Sequence, residues 1–273
     1  MASESNIIVR FAVKALFFVI FLPFTSNAFD VTVGIAPQKY IAEKIGGDLI
    51  TVHSLMDRGV DPHSFSPKPS QAAELARSKI FFGIGFPYEK VLAANLKKTF
   101  KQLIIIDASA GLMDNAEDPH LWTSPKMLMK LAEATLEGLI SVDPQNSAAY
   151  TANCAFFIQE LSIWDDKFTT LFASGVNRSF LAYHPFLGYF ARDYGLIQYS
   201  VEKEGKPPKS GDIAVILDTV KKEDITVFIA VKTHSIEPAL FIAEQSGLKV
   251  ALVDPLTDNL PNMLQEIYDA FSR

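Results

Sequence analysis

The sequence predicts an α/β protein of two lobes, each a mostly parallel four-stranded sheet flanked by helices, joined by a long helix. Short apolar runs rich in β-branched residues alternate with segments that carry helix start and stop signals, which is typical of parallel sheets. One long helix, predicted over Ser147–Ala173, has four such runs before it and four after it. This arrangement favours two similar halves connected by that helix.

Most of the predicted strands are continuously apolar instead of alternating between apolar and polar positions. Continuous apolar runs are typical of parallel strands that are buried on both faces. The predicted strands are Val31–Ile35, Ile50–Ser54, Ile80–Ile84, Leu103–Asp107, Phe180–Tyr183, Ile197–Val201, Val227–Val231 and Val250–Val253.

Helices are predicted between many of these strands from polar caps, prolines near the start and glycines at the end. The predicted helices, apart from the long one, are Ser70–Ser78, Lys126–Ile140, Ser210–Glu223 and Ser235–Gly247. Within the long helix, apolar residues recur at alternating steps of four and three, which makes one apolar face. Cys154, the only cysteine, lies on that face, so we expect it to be a buried apolar residue and not a nucleophile.

Composition limits the classes of function. The chain has 273 residues and a formal net charge of −6, which allows one large domain or two lobes with proper cores. A mildly acidic chain is poorly suited to nucleic acid, whose binding depends on basic patches. A single cysteine excludes an internal disulfide, so packing must stabilise the fold.

The N-terminal segment has the pattern of a secretory signal peptide. Arg10 and Lys14 accompany an apolar run over Ala15–Phe24, and small residues end the segment at Ala28. A membrane anchor is the alternative, but the run is shorter than the ~20 residues that span a bilayer. The expected division is a signal peptide over 1–28, an N-terminal lobe over 29–143, a linking helix over 144–175 and a C-terminal lobe over 176–273.

Four side chains that can bind a metal ion each adjoin a proline: His63, His120, His184 and Asp254. Proline restricts its own backbone and that of the preceding residue, so these side chains leave the chain in constrained directions. The first two end repeated Asp-Pro-His triplets, and the last two directly follow predicted strands. Ligands collect at the carboxyl ends of parallel strands, so we expect two ligands from each lobe to meet in a cleft.

Three imidazoles and one carboxylate make a shell suited to zinc, and nitrogen-rich sites favour zinc over manganese. Manganese and iron(II) are the alternatives. We expect binding to weaken as the histidines protonate below ~6.5. Asp254 could instead cap a helix, and His53, within a strand pattern, is expected to be structural. His234 follows a strand and could approach the cleft, although a surface or capping position is favoured.

Four segments resemble the motifs of a known family: Gly59–Phe65, Asp118–Trp122, His184–Phe190 and Val253–Leu256. On these segments, in family order, the chain resembles the TroA-like (cluster A-I) zinc and manganese solute-binding proteins of bacterial ABC importers. The resemblance implies two lobes bridged by a rigid helix, and a monomeric, non-enzymatic protein that delivers its ion to a membrane permease driven by a cytoplasmic ATPase. It also implies the same four ligands.

Three segments depart from the family's pattern. The Ala110–Glu117 loop is short and contains no histidine, Ser124 replaces a frequent aspartate, and Lys232–Ser235 replaces Glu-Pro-Gln-like residues. Two other classes of protein fit the sequence less well. A zinc hydrolase is disfavoured because His-Glu-x-x-His, Gly-x-Ser-x-Gly and phosphate-loop motifs are absent from the sequence. A surface adhesin is disfavoured because Ala28-Phe29, and not a lipid-anchor cysteine, stands at the cleavage point, which favours a chain free in the periplasm.

Overall fold

The structure, a computed structural model, describes residues 28–57, 59–68, 70–71, 75–113, 118–202 and 206–272. Two four-stranded sheets form its centre. Their strands are β1 (Phe29–Val33), β2 (Ile50–Ser54), β3 (Ile80–Gly83), β4 (Ile104–Asp107), β5 (Ser179–Ala182), β6 (Ile197–Ser200), β7 (Val227–Val231) and β8 (Val250–Val253). All eight predicted strands are confirmed, and their bounds differ by no more than two residues.

The two sheets have equivalent strand orders, β2-β1-β3-β4 and β6-β5-β7-β8, and every pairing is parallel. The two halves therefore repeat one α/β pattern. Because the strands of each sheet run in one direction, their carboxyl ends share one edge. The loops that leave this edge carry the predicted metal ligands.

Helices flank both sheets. Those with complete bounds are α1 (Ala36–Gly46), α2 (Pro87–Thr99), α3 (Pro125–Val142), α4 (Ser147–Ala173), α5 (Gly188–Tyr194), α6 (Ser210–Lys222), α7 (Glu237–Ser246) and α8 (Leu260–Phe271). Proline occupies the first turn of five of these, α1, α2, α3, α7 and α8, where its fixed φ suits a helix start. The predicted helix Ser70–Ser78 lies partly outside the described residues, as does nearly all of the predicted signal peptide.

The long helix α4 has the predicted bounds and contains 27 residues. Its apolar face includes Tyr150, Cys154 and Leu161, all of which are buried. Cys154 is buried in the hydrophobic core, which confirms that this side chain has an apolar packing role, and burial raises the pKa of its thiol to about 11. One hydrophobic core extends from the first sheet across α4 to the second sheet and α8, so α4 packs against both halves. Within the described ranges, none of the helices combines the length and apolar character needed to cross a membrane.

Candidate metal centre

Three of the predicted ligands meet at one point. One ring nitrogen each of His63, His120 and His184 lies within 4.8 Å of the other two, and the three ring centroids are 5.2–5.3 Å apart. The Nε2 atoms of His63 and His120 are 3.4 Å apart. Nitrogens that share one zinc ion at a Zn–N distance of about 2.0 Å lie roughly 3–3.5 Å apart. Small side-chain adjustments are therefore enough for all three imidazoles to bind one ion.

The repeated Asp-Pro-His triplets form the same local turn. Asp61 Oδ1 accepts the amide of His63 at 2.9 Å, and Asp118 Oδ1 accepts the amide of His120 at 3.0 Å. Aspartate favours this hydrogen bond to the residue two positions later, and the intervening proline restricts the backbone further. Each triplet is thus a constrained turn that projects its histidine towards the centre.

Carboxylates hold the outer ring nitrogen of two of the histidines. Asp118 Oδ1 lies 2.8 Å from His120 Nδ1, and Glu202 Oε2 lies 2.8 Å from His184 Nδ1. An ionised carboxylate only accepts hydrogen bonds, so Nδ1 carries the proton and Nε2 keeps its lone pair. Both Nε2 atoms are therefore in the tautomer that can bind a cation.

Sequence reasoning missed Glu202, although strand register explains its position. Ala182 at the end of β5 pairs with Ser200 at the end of β6. His184 and Glu202 each lie two residues beyond this pair, so their side chains emerge side by side. A prediction that placed β5 and β6 next to each other would have located Glu202.

Burial lowers the pKa of two of the three imidazoles. His120 is 6% exposed, and its ring lies 5.3 Å from that of Trp122; burial lowers its pKa. His63 is exposed as a residue, but its ring stands against Phe86 and the other two histidines. Burial of that ring, with the adjacent imidazoles His120 and His184, lowers the pKa of His63 to about 4. The expected weakening of metal binding below ~6.5 is therefore shifted to lower pH for these two ligands.

Asp254 forms a third turn of the same kind. Its Oδ1 accepts the amide of Leu256 at 3.1 Å, so in Asp254-Pro255-Leu256 a leucine takes the position that the histidines hold in the other two triplets. Among the described residues, the group of converging ligand atoms contains three histidines and does not include Asp254. The side chain that caps α8 belongs to Asn259. As a metal ligand, Asp254 stays a prediction.

A short buried turn over Leu121–Thr123 ties the ligand loops together. Trp122 Nε1 donates to the Pro255 carbonyl at 2.6 Å. The Thr123 hydroxyl lies 2.9 Å from the His120 carbonyl and 3.0 Å from the Phe186 carbonyl. These bonds connect the loop of His120 with the loops that follow β5 and β8, across the two lobes. Trp122 and Thr123 are fully buried, so solvent does not compete for these bonds.

The two remaining histidines differ in position. His53 lies in β2 and contacts Asp30 at 3.0 Å, as expected for a structural residue. His234 is exposed, yet its ring centroid lies 6.3 Å from that of His184. The favoured surface position is therefore confirmed, although the ring stands beside that of His184 and outside the group of converging histidines.

Comparison with known proteins agrees with this geometry. The model of one family, ZnuA (zinc-uptake complex component A, periplasmic), matches residues 31–272. The chain belongs to this family. A crystal structure of ZnuA superimposes with a TM-score of 0.81 at 34% identity, over 89% of this chain and 99% of that one. A zinc-bound ZnuA deletion mutant gives a TM-score of 0.81 at 33% identity, over 90% and 99% of the two chains.

A curated relative extends the comparison. The zinc-binding protein AdcA of Streptococcus pyogenes serotype M6 is 25% identical over 237 residues, which cover 75% of this chain but 46% of AdcA. The chain thus spans about half the length of that relative. The ZnuA family is described as a periplasmic component of a zinc-uptake complex, which is the role of a solute-binding protein. Membership confirms the predicted fold and the predicted class of zinc-binding importer component.

Proposed function

We propose that this chain captures Zn²⁺ at His63, His120 and His184 and delivers it to the membrane permease of an ABC importer, driven by a cytoplasmic ATPase. The observation that carries the proposal is the convergence of three imidazoles from distant parts of the chain. Two of them already have Nε2 available because a carboxylate holds Nδ1. Membership of the ZnuA family supports the transport role.

The donor set favours zinc over manganese. Three neutral imidazoles form a nitrogen-rich site, which follows the Irving–Williams preference for zinc, whereas manganese prefers oxygen ligands. Asp254 is the predicted fourth ligand, with one carboxylate oxygen engaged by the Leu256 amide. Manganese and iron(II) are the alternative ions of the same importer class.

The chain acts, in this proposal, as an exported monomer. A signal peptide over 1–28 is removed, and the lobes over 29–143 and 176–273 enclose the ion with the linking helix over 144–175 between them. Fractionation after osmotic shock tests the location. Release of the chain with soluble periplasmic markers is expected, and retention with the membrane fraction would contradict this part of the proposal.

Native mass spectrometry and competitive titration test the site. Protein purified without added metal should carry one zinc ion per chain and should prefer Zn²⁺ to Mn²⁺ in competition. His120→Ala should abolish tight binding, because it removes the most buried of the three imidazoles. His53→Ala is the matched control and should bind as the wild type does. Full zinc occupancy in His120→Ala, or a preference for Mn²⁺ in the wild type, would contradict the assignment.

A zinc hydrolase is the second candidate, because three histidines with an open position are also the ligand set of some catalytic zinc sites. A screen of the zinc-loaded protein against esters and peptides separates the two functions. Transport predicts no turnover above the level of the His184→Ala variant. Steady turnover that is lost in His184→Ala would favour the hydrolase.

A further inference from the structure

His234 lies on a loop between the loop of His184 and the loop of Asp254, the predicted fourth ligand. This loop follows β7, which stands between β5 and β8 in the second sheet. The loop after β5 carries His184 and the loop after β8 carries Asp254, so the His234 loop emerges between them at the same sheet edge. The His234 amide donates to the Val231 carbonyl at 3.3 Å, which anchors the loop to the end of β7.

The His234 ring is near the three-histidine group and able to reorient. Its centroid lies 6.3 Å from that of His184, compared with 5.2–5.3 Å among the three converging histidines. The residue is exposed. Within the part of the chain that the structure describes, its side chain makes no hydrogen bond or ion pair, unlike the rings of His53 and His184, which carboxylates hold. Rotation of this side chain therefore breaks no hydrogen bond.

Two carboxylates at this edge of the sheet already accept hydrogen bonds. Glu202 is bonded to His184 Nδ1, and Asp254 Oδ1 is bonded to the Leu256 amide. An imidazole that stands beside the site on a side chain able to rotate can direct its unprotonated ring nitrogen at an ion held by the three converging histidines. Four of the chain's five histidines would then serve one ion.

We propose that His234 supplies a fourth imidazole to the bound ion, beside those of His63, His120 and His184 and in addition to the proposed carboxylate ligand Asp254. This inference rests on the proposed zinc-binding function. A four-imidazole shell strengthens the preference for zinc over manganese, because each nitrogen donor suits the softer ion. His234 stands in the segment that departs from the resembled family, so it would give this chain a shell of its own.

Nitrogen-15 NMR of histidine-labelled protein, titrated with Zn²⁺ alone, tests the proposal. Four histidines should acquire the signature of a metal-bound ring nitrogen and His53 should not. In His234→Ala, three histidines should show this signature, and zinc affinity should fall by at least about tenfold. Tenfold is the smallest loss expected when a partner behind a metal ligand is removed, and removal of a ligand itself should cost no less. The ratio of Zn²⁺ to Mn²⁺ affinity should fall as well. His53→Ala, the control, should match the wild type in zinc affinity and in the ratio of Zn²⁺ to Mn²⁺ affinity.

The outcomes separate this inference from the function on which it rests. Three metal-bound histidines in the wild type, or an unchanged affinity and selectivity in His234→Ala, would overturn the role of His234 and leave zinc capture intact. If the wild type shows no metal-bound histidine at a stoichiometric amount of Zn²⁺, the proposed function itself fails. Because His234 is exposed, its replacement should leave the folded state intact, which the unchanged spectrum of His53 reports.

Discussion

Removal of the Glu202 carboxylate should weaken zinc binding although Glu202 does not touch the ion. The 2.8 Å contact between Glu202 Oε2 and His184 Nδ1 joins side chains that are 16% and 12% exposed, respectively, so water replaces this acceptor poorly. Loss of the partner behind a metal-bound histidine costs about 10–100-fold in affinity, or roughly 1.4–2.8 kcal/mol. The low exposure places Glu202→Ala near the upper end of that range. Glu202→Gln keeps an acceptor oxygen without the charge, so its loss should be nearer to tenfold.

Competition with a chromophoric zinc chelator measures these differences. The matched control is Asp30→Asn, which alters a similar carboxylate–imidazole contact, the 3.0 Å pair with His53, away from the metal centre. This control should bind zinc as tightly as the wild type. Wild-type affinity in Glu202→Ala, or an equal loss in Asp30→Asn, would refute the reasoning that the carboxylate fixes the tautomer of His184.

Three further predictions concern packing and pH. Burial raises the pKa of Glu89 to about 7. The folded protein therefore retains a proton that the unfolded chain loses near pH 4.5. As the pH rises from 4.5 to 7, the free energy of unfolding should fall by at most about 3 kcal/mol. In urea unfolding, the free energy of unfolding of Glu89→Gln should not show this decrease with pH. The same decrease in Glu89→Gln as in the wild type would exclude Glu89 as its cause. Thr123→Val removes a buried hydroxyl shared by two carbonyls, so the free energy of unfolding should fall by about 1–3 kcal/mol; wild-type stability in thermal unfolding would contradict this. A Cβ at Gly188 would clash with Asp118 Oδ2 and displace the carboxylate that holds the His120 ring. Gly188→Ala should therefore weaken zinc binding about tenfold in the chelator titration, whereas Gly211→Ala, with open space around it, should not.

The central strands β3, β5 and β7 could be predicted because they are buried on both faces and mostly apolar. The edge strands β2, β4, β6 and β8 are partly exposed, so their β-branched and aromatic residues were the better signal. The helices were harder to predict, and α1, α2, α5 and α8 are missing from the predicted set. In α1, Gln38 is 4% exposed because its side chain bonds the amides of Gly34 and Ile35 and the carbonyls of Phe82 and Gly83. A buried polar residue interrupts the apolar pattern from which a helix is predicted. Helix α8 was not predicted either, although its sequence has the pattern of a helix: its apolar residues recur at helical spacing after the Asn259 cap.

The three histidines of the centre could be predicted because each adjoins a proline and two end the same triplet. The partners of their outer nitrogens could not. Asp118 belongs to a triplet, but its sequence position does not reveal that one carboxylate oxygen serves both the amide and the ring of His120. Glu202 becomes a partner of His184 only through the pairing of β5 with β6. Such roles depend on strand order, which a motif does not contain.

A crystal structure of the zinc-loaded protein, with anomalous scattering recorded on both sides of the zinc absorption edge, tests whether the three histidines bind one zinc ion. We expect one strong anomalous peak, with Nε2 of His63, His120 and His184 at about 2.0–2.1 Å from it. A peak located elsewhere, or bonded to fewer than these three histidines, would contradict this expectation.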